Sequence, residues 1–171
     1  TFRGEALDLA AEPEILTVAE AFLRYAGMSV AEAEAQDCFD ELMVTRIEPE
    51  LGRGRLTYLS DYPAARASLA RLKPGQTVVA ERWELYLAGI ELANAYSELT
   101  EGSEQLARFA ASREFRKSRG AAVYPAAGAF ENVLREGRLP RCAGNALGFD
   151  RLVMIAADAH DLGEVLVSDQ V

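Results

Sequence analysis

Three side chains suited to recognition alternate along residues 90–99, "IELANAYSEL". Asn94, Tyr96 and Glu98 are two positions apart, so a β-strand directs all three to one face while the small residues between them point to the other. An amide, an aromatic ring and a carboxylate on one face form a compact recognition surface. The alternative is an amphipathic strand with one aromatic residue in the core. A buried Glu98 would need a partner, because an unpaired buried carboxylate is costly, and a substrate ammonium group would satisfy it.

Two further carboxylates and one arginine could handle phosphate chemistry. Glu84 and Glu91 lie on either side of the Ala88-Gly89 turn, and carboxylate oxygens are the hard ligands that magnesium prefers. Arg151 follows a Gly-rich stretch, and a guanidinium can hold phosphate oxygens through paired hydrogen bonds. The alternatives are solvated carboxylates on an exposed strand and a surface ion pair between Arg151 and a nearby aspartate.

Glu91 shares a site with Asn94 only under a geometric condition. The two residues are three positions apart, so strict alternation places them on opposite faces of a strand. A common site therefore requires a bulge or twist near residues 92–93. An unbroken ladder with Glu91 facing away from Asn94 would remove Glu91 from the site.

The composition limits the classes of protein to consider. The 171 residues, half of them hydrophobic and 26% charged, suffice for a single domain with a core. A net charge of −9 does not favour nucleic acid as the main partner. Cys38 and Cys142 lack metal-ligand spacing, so free thiols in a reducing cytoplasm are expected. The single His, in a polar loop, and the lack of nucleophile, P-loop and HExxH motifs argue against covalent or zinc catalysis.

Helices and strands alternate in a way that predicts a mixed α+β domain. Thr17 with Glu20 and Ser29 with Glu32 read as capping boxes that begin two helices. Runs rich in β-branched and aromatic residues predict strands, two of which form a hairpin around the Ala88-Gly89 turn. The predicted helices span residues 16–27, 29–49, 103–120 and 127–137. The predicted strands span residues 55–63, 77–89 and 90–99. Over residues 142–159 a Gly-containing strand is predicted to run into a helix.

The hairpin "ERWELYLAGIELANAYSEL" and the later "GNALGFDRLVM" together resemble the second half of a class II lysyl-tRNA synthetase catalytic domain. The second stretch is similar to motif 3 of that class, near residues 143–154. The ordered match spans nearly the whole chain. It implies an antiparallel sheet flanked by helices, forming one domain over residues 1–171 that is truncated on its N-terminal side, without motifs 1 and 2. "TFRGE" at residues 1–5 looks like the ATP-binding motif 2, but the residues after it resemble a region downstream of that motif, so it is expected to be a decoy.

The resemblance implies a role for each candidate residue. Glu84 and Glu91 would hold the magnesium ions that bridge the ATP phosphates, and Arg151, the catalytic candidate, would contact the γ-phosphate. The remaining candidates would bind the amino acid. Asn94 would hydrogen-bond its polar groups, Tyr96 would lie against its aliphatic stem, and Glu98 would pair with an ammonium group. The small residues Ala146 and Gly144 would form part of the pocket wall.

Within the superfamily, "YPAARASLARL" and "PRCAGNALGFDRLVM" resemble the elongation factor P lysine ligases, synthetase paralogues without an anticodon-binding domain. Ala146 is the clearest marker, because synthetases usually have Gly there. "NAYSEL" departs from this branch, where "NGFHEL" is typical. The resemblance implies a cytoplasmic enzyme, with no membrane association, that activates lysine or β-lysine with ATP and magnesium and transfers it to a lysine of elongation factor P.

Two other functions stay open at this point. One is a lysyl-tRNA synthetase, which would charge tRNA; the acidic charge and Ala146 weigh against it. The other is a non-catalytic paralogue that binds a ligand or partner, and the intact candidate residues argue against it. A homodimer is expected for the full-length enzyme. These 171 residues alone are expected to fold without forming adenylate, because class II activation needs the motif 2 arginine.

Overall fold

The computed structural model describes residues 1–166 and has the mixed α+β architecture that the sequence predicts. The strands are β1 (Glu14–Thr17), β2 (Thr57–Pro63), β3 (Leu72–Lys73), β4 (Gln76–Leu87), β5 (Ile90–Ser97) and β6 (Ala143–Leu147). The helices are α1 (Val18–Ala21), α2 (Val30–Ala35), α3 (Phe39–Leu42), α4 (Gly102–Ser118), α5 (Gly128–Arg135) and α6 (Phe149–Ala156).

The strands form one sheet in the order β1-β2-β4-β5-β6, and β3 pairs with β4 beside that path. All pairings are antiparallel except β1 with β2, which is parallel. The sheet flanked by helices agrees with the predicted fold, and its one parallel pairing lies at the edge, where β1 precedes α1. The predicted hairpin is present: Ala88 and Gly89 both have positive φ, as a type I′ turn requires.

Both strand pairings of β4 that border the candidate residues are irregular. On one side, the register with β5 shifts so that Ala93 pairs with Leu85 and Glu91 pairs with Tyr86, which leaves Leu92 as an extra residue. This is the bulge that a common site for Glu91 and Asn94 requires. On the other side, the register with β2 shifts around Asp61, whose φ is 58°.

Both predicted capping boxes are confirmed. Thr17 and Ser29 each accept a hydrogen bond from the backbone three residues on, and the glutamates there return one. The helix that begins at Val18 continues as a π-helical turn over Phe22–Ala26 and ends at Gly27, as predicted. The second predicted helix, over 29–49, is wrong as a single element.

That second segment breaks into α2 and α3. Asp37 has a φ of 52°, which interrupts the helix, and the break turns Phe39 inward to stack on Phe22 with ring centroids 4.7 Å apart. Burial of this aromatic pair therefore outweighs the local preference for one continuous helix. A π-helical turn (Met43–Ile47) and a 3₁₀ turn (Glu48–Glu50) carry the chain on from α3 towards the sheet.

Different helices pack on the two faces of the sheet: α1 and α3 on one face and α6 on the other. Packing of α1 and α3 on the face that carries Leu59 and Tyr86 forms the larger core cluster. On the other face, Met154 and Ile155 of α6 pack near Leu87 in a second cluster. Part of the first face, along β4, β5 and β6, stays open. None of the helices in residues 1–166 is long and apolar enough to cross a membrane.

Candidate substrate-binding site

The open part of the sheet contains a cavity of about 440 Å³ that brings the predicted amino-acid-binding residues together. Its lining consists of Asn94, Tyr96, Glu98, Gly144, Asn145 and Ala146. Strand register explains the convergence, because Asn94 pairs with Ala146 and Tyr96 pairs with Gly144 across β5 and β6. Five of these six residues were predicted from the sequence. Asn145 was not predicted.

Glu98 is the anionic group of this cavity. Its backbone N–H donates to Cys142 O at 3.0 Å, but its carboxylate has neither a hydrogen bond nor a salt bridge within residues 1–166. Partial burial raises the pKa of the Glu98 carboxyl above its ordinary value, because desolvation disfavours the charged form. The cavity therefore contains an acceptor to which the described residues supply no cationic partner.

Glu84 lies beside the cavity, buried, and accepts four hydrogen bonds. Its Oε1 accepts from Arg82 Nη2 at 2.6 Å and from Asn94 Nδ2 at 2.7 Å. Its Oε2 accepts from the hydroxyls of Tyr62 at 2.5 Å and Tyr86 at 2.7 Å. These four donors use the acceptor capacity of a carboxylate, so its burial is well compensated. Glu84 thereby holds the amide of Asn94 in a fixed orientation.

The orientation of Asn94 has a chemical consequence. Its Nδ2 is committed to Glu84, and its Oδ1 is buried without a hydrogen-bond partner among the residues that the structure describes. A buried amide oxygen without a donor costs free energy, and a substrate N–H or ammonium group would relieve it. Asn94 thus holds an unsatisfied acceptor beside the cavity.

The ionisable groups around Glu84 have raised pKa values. Burial, with the neighbouring Glu84 charge, raises the pKa of the Tyr62 hydroxyl far above its ordinary range. Burial, with Tyr62 and Glu84, does the same for the pKa of Tyr86. Glu48, which approaches Tyr86, has a carboxyl pKa raised by burial and then by the charges of Glu84 and Glu91. Both tyrosines therefore stay protonated donors at every physiological pH.

Arg82 is a site residue that the sequence analysis missed. Its guanidinium lies over the ring of Tyr62 at 4.2 Å and over that of Tyr96 at 5.5 Å, while it also pairs with Glu84. This sandwich fixes the ring of Tyr96 in the cavity wall through cation–π contacts. The missed signal was period-two alternation along β4, which places Arg82, Glu84 and Tyr86 on one face. Tyr62 gave no such signal, because a register shift brings it to that face.

At the other end of β5, Glu91 and Arg151 are paired. Arg151 Nη1 donates to the backbone carbonyl of Glu91 at 2.8 Å and to its carboxylate at 3.2 Å. Arg151 follows Gly148, whose N–H donates to Leu92 O, so the extra residue of the bulge also anchors the start of α6. The alternative partners considered for Arg151, nearby aspartates, are not used within residues 1–166. The ion pair is part exposed, so its free-energy contribution is small.

Of the two predicted magnesium ligands, Glu84 and Glu91, only Glu91 has acceptor capacity left for a metal ion in this geometry. Glu84 has its acceptor capacity filled, and a cation would have to displace its donors. Glu91 is more accessible, and among residues 1–166 its carboxylate accepts a hydrogen bond from Arg151 alone. Within residues 1–166, three or more acidic, His or Cys side chains nowhere form a group that could hold a metal. The two carboxylates as they stand therefore do not fit a shared ion, and their metal role stays a prediction.

The opening "TFRGE" lies away from the cavity. Phe2 is buried against Leu87 and Met154 in the second core cluster, and the Arg3 guanidinium donates to the carbonyl of His160. The Arg3 backbone N–H donates to Asp158 at 2.6 Å. This stretch therefore makes a structural turn at the end of α6, as expected for a decoy of an ATP-binding motif.

Comparison with known protein families gives one family match. The model of class II tRNA synthetases (D, K and N) matches residues 2–167. This range contains the whole sheet and every candidate residue.

Curated relatives carry a more specific name. The chain is 39% identical over 158 residues to an elongation factor P--(R)-beta-lysine ligase of Yersinia enterocolitica, covering 92% of this chain and 48% of the relative. It is 42% identical over 134 residues to a protein of the same name from Klebsiella pneumoniae, covering 78% of this chain and 41% of the relative. The chain thus spans less than half the length of these relatives.

Proposed function

This chain belongs to the family of class II tRNA synthetases (D, K and N), and from that premise we propose that it forms part of a ligase that activates lysine or β-lysine as an adenylate. The acceptor we propose is a lysine side chain of elongation factor P, the protein in the relatives' name. The single observation that carries the proposal is the Glu98 carboxylate, unpaired within residues 1–166 in a cavity that also holds Asn94 and Tyr96. We place the reaction in the cytoplasm.

The cavity suits an amino acid with a cationic side chain. Glu98 would pair with a substrate ammonium, and a charge-assisted hydrogen bond is stronger than a neutral one. Tyr96, fixed by Arg82, would lie along the aliphatic stem, and Asn94 Oδ1 would accept from a second N–H group. Together these contacts select a substrate with two amino groups separated by a carbon chain, which both lysine and β-lysine possess.

ATP would bind at the Glu91 end of β5. In Arg151, only Nη1 is hydrogen-bonded among the described residues, so the rest of the guanidinium is available for the γ-phosphate. ATP enters as its magnesium complex, and Glu91 is the predicted ligand with room to meet that ion. Glu91 lies near the start of β5 and Glu98 directly follows its end, so the polyphosphate and the amino acid would lie at opposite ends of the strand.

The chemistry requires positioning, not a protein nucleophile. An oxygen of the amino-acid carboxylate bonds to the α-phosphorus of ATP, the bond to the bridging oxygen breaks, and pyrophosphate leaves. The neutral acceptor amine then attacks the carbonyl carbon, AMP leaves, and the amine loses its proton to solvent. This chain's residues hold the amino acid and the terminal phosphate, and alignment of two bound anions accounts for much of such a rate enhancement.

Pyrophosphate exchange by the full-length gene product, with α-lysine and with β-lysine, tests the activation step. Transfer assays that offer elongation factor P or tRNA then test the acceptor. We expect exchange with at least one of the two amino acids and transfer to elongation factor P. Transfer to tRNA instead would identify a lysyl-tRNA synthetase, and ligand binding without exchange would identify a non-catalytic relative. Light scattering on the same sample tests the homodimer that we propose for the full-length protein.

A further inference from the structure

The chain between β5 and β6 forms a helical arm, defined here as residues 102–141, that consists of α4, a connecting segment and α5. The arm begins shortly after Glu98 and ends shortly before Gly144, so both of its ends lie next to residues that line the substrate cavity. The base of the arm therefore borders the cavity in which the amino acid would be activated.

The base of the arm is fixed to the domain. Arg108 Nη1 donates to the carbonyls of Ser68 at 2.7 Å and Ala70 at 2.9 Å, which joins α4 to the segment behind Tyr96. Gly102 is buried and lies so close to the Leu134 carbonyl that a Cβ would clash. Arg113 and Arg135 both pair with the buried Glu131, which ties α4 to α5. The arm is thus a positioned element and not a loose loop.

The charge of the arm is opposite to that of the rest of the chain. Residues 102–141 contain eight Arg and Lys against four Glu, a net charge of +4. The other residues contain ten Arg and Lys against 23 Asp and Glu, a net charge of −13. Such a local reversal of charge in an acidic protein produces a field that attracts an anionic surface to one place.

The far end of the arm exposes aromatic rings with arginines over them. Phe115 is 59% exposed and Tyr124 is 67% exposed. The Arg119 guanidinium lies 4.8 Å from the ring centroid of Phe115, and that of Arg116 lies 4.3 Å from the centroid of Tyr124. Lys117 is also exposed and pairs with the exposed Glu114 at 3.2 Å. Exposed aromatic residues and arginines are the types enriched in the energetically important centres of protein interfaces.

We propose that this basic, aromatic arm tip, formed by Phe115, Arg116, Lys117, Arg119 and Tyr124, docks an acidic surface of the protein acceptor and so presents its lysine to the cavity. The inference rests on the proposed function for the identity of the acceptor, which is elongation factor P. Its own basis is the charge reversal, the exposed aromatic pair and the position of the arm between the two strands that line the cavity.

A protein suits this surface better than a nucleic acid. A polyanion as long as tRNA would extend over the remaining surface, whose charge is −13, whereas a local acidic patch on a protein need contact only the tip. Each of the two exposed rings is already covered on one face by a guanidinium. That arrangement leaves less room for base stacking than for edge-on packing against apolar side chains.

A charge-reversal pair tests the docking surface. Lys117→Glu with Arg119→Glu reverses two positive tip charges and leaves Arg116, which holds the connecting segment by donating to Ala122 O. The matched control is Arg46→Glu with Arg55→Glu, an equal change of charge at two exposed residues outside the arm. Phe115→Ser with Tyr124→Ser tests the apolar contribution separately. Circular dichroism and thermal unfolding verify that each variant is folded.

Binding of the full-length gene product to elongation factor P is measured by titration calorimetry at low and high salt. We expect the tip variant to bind at least about tenfold more weakly at low salt, with a reduced salt dependence, and the control to match the wild type. In transfer assays the KM for elongation factor P should rise while kcat and pyrophosphate exchange stay unchanged.

Three outcomes would overturn the inference: unchanged affinity in a folded tip variant, an equal loss in the control, or loss of tRNA binding instead of protein binding. If the wild type shows no pyrophosphate exchange, the proposed function fails first. Direct binding of elongation factor P to the wild type and not to the tip variant would then still support the docking surface.

Discussion

Gly144 lies directly against the Glu98 carboxylate. A Cβ built on Gly144 would come within 3.0 Å of Glu98 Oε1, closer than real Cβ atoms approach an oxygen. Gly144 of β6 pairs with Tyr96 of β5, two residues before Glu98. The absence of a side chain at residue 144 therefore leaves the space in which the Glu98 carboxylate faces the cavity.

Gly144→Ala should weaken lysine binding by about tenfold, or roughly 1.4 kcal/mol. The added methyl group displaces the Glu98 carboxylate from its position, while the backbone of Gly144 does not have the positive φ that would make Ala strained. Titration calorimetry with lysine and with ATP measures the effect. Gly128→Ala is the matched control, because a Cβ there meets nothing within 4 Å. Equal lysine affinities for the two variants would show that Glu98 adjusts freely.

Glu98→Gln keeps the shape of the side chain and removes its charge. Lysine affinity should fall by roughly 1.5–3 kcal/mol, the range for hydrogen bonds to charged groups, and ATP affinity should change much less. The pKa of Glu98 is raised and only the carboxylate attracts an ammonium. Lysine affinity of the wild type should therefore fall as the pH is lowered through that pKa, and the Gln variant should lack this dependence. Equal losses for lysine and ATP would indicate a structural role.

Ala146→Gly tests whether the methyl group in the cavity wall selects the substrate. Ala146 pairs with Asn94 and lines the cavity. Its removal should shift preference toward α-lysine by roughly 1–3 kcal/mol, the contribution expected from one methyl group. The ratio of kcat/KM values for α-lysine and β-lysine measures the shift. If that ratio stays the same, Ala146 serves packing alone.

Glu84→Gln and Glu91→Gln separate a structural carboxylate from a metal-binding one. Glu84→Gln should lower the free energy of unfolding by roughly 2–5 kcal/mol, because an amide cannot accept from all four donors. Glu91→Gln should leave unfolding almost unchanged and weaken magnesium-dependent ATP binding. Denaturant unfolding and ATP titrations with and without magnesium measure both. A stable Glu84→Gln variant with lost magnesium dependence would favour the metal role for Glu84.

The sequence predicted the cavity better than it predicted the surroundings of Glu84. Alternation along residues 90–99 is a local pattern. It therefore predicts that Asn94, Tyr96 and Glu98 share one face, whichever strands lie beside them. Tyr62 reaches Glu84 only because the register of β2 shifts at Asp61. Such irregularities depend on how two strands pair, and no single stretch of sequence specifies that pairing.

The sequence by itself determined the capping boxes, the hairpin turn and the alternating recognition residues, because each depends on neighbours within a few positions. Tertiary structure decided which lone pairs were free. It filled all four acceptor positions of Glu84 and left the Glu98 carboxylate unpaired within residues 1–166. The sequence shows two glutamates in or next to strands, but whether a buried carboxylate is satisfied depends on which donors the strand pairing turns toward it. Three of the four donors to Glu84 lie within ten residues of it, yet only the packed sheet aims all of them at one side chain.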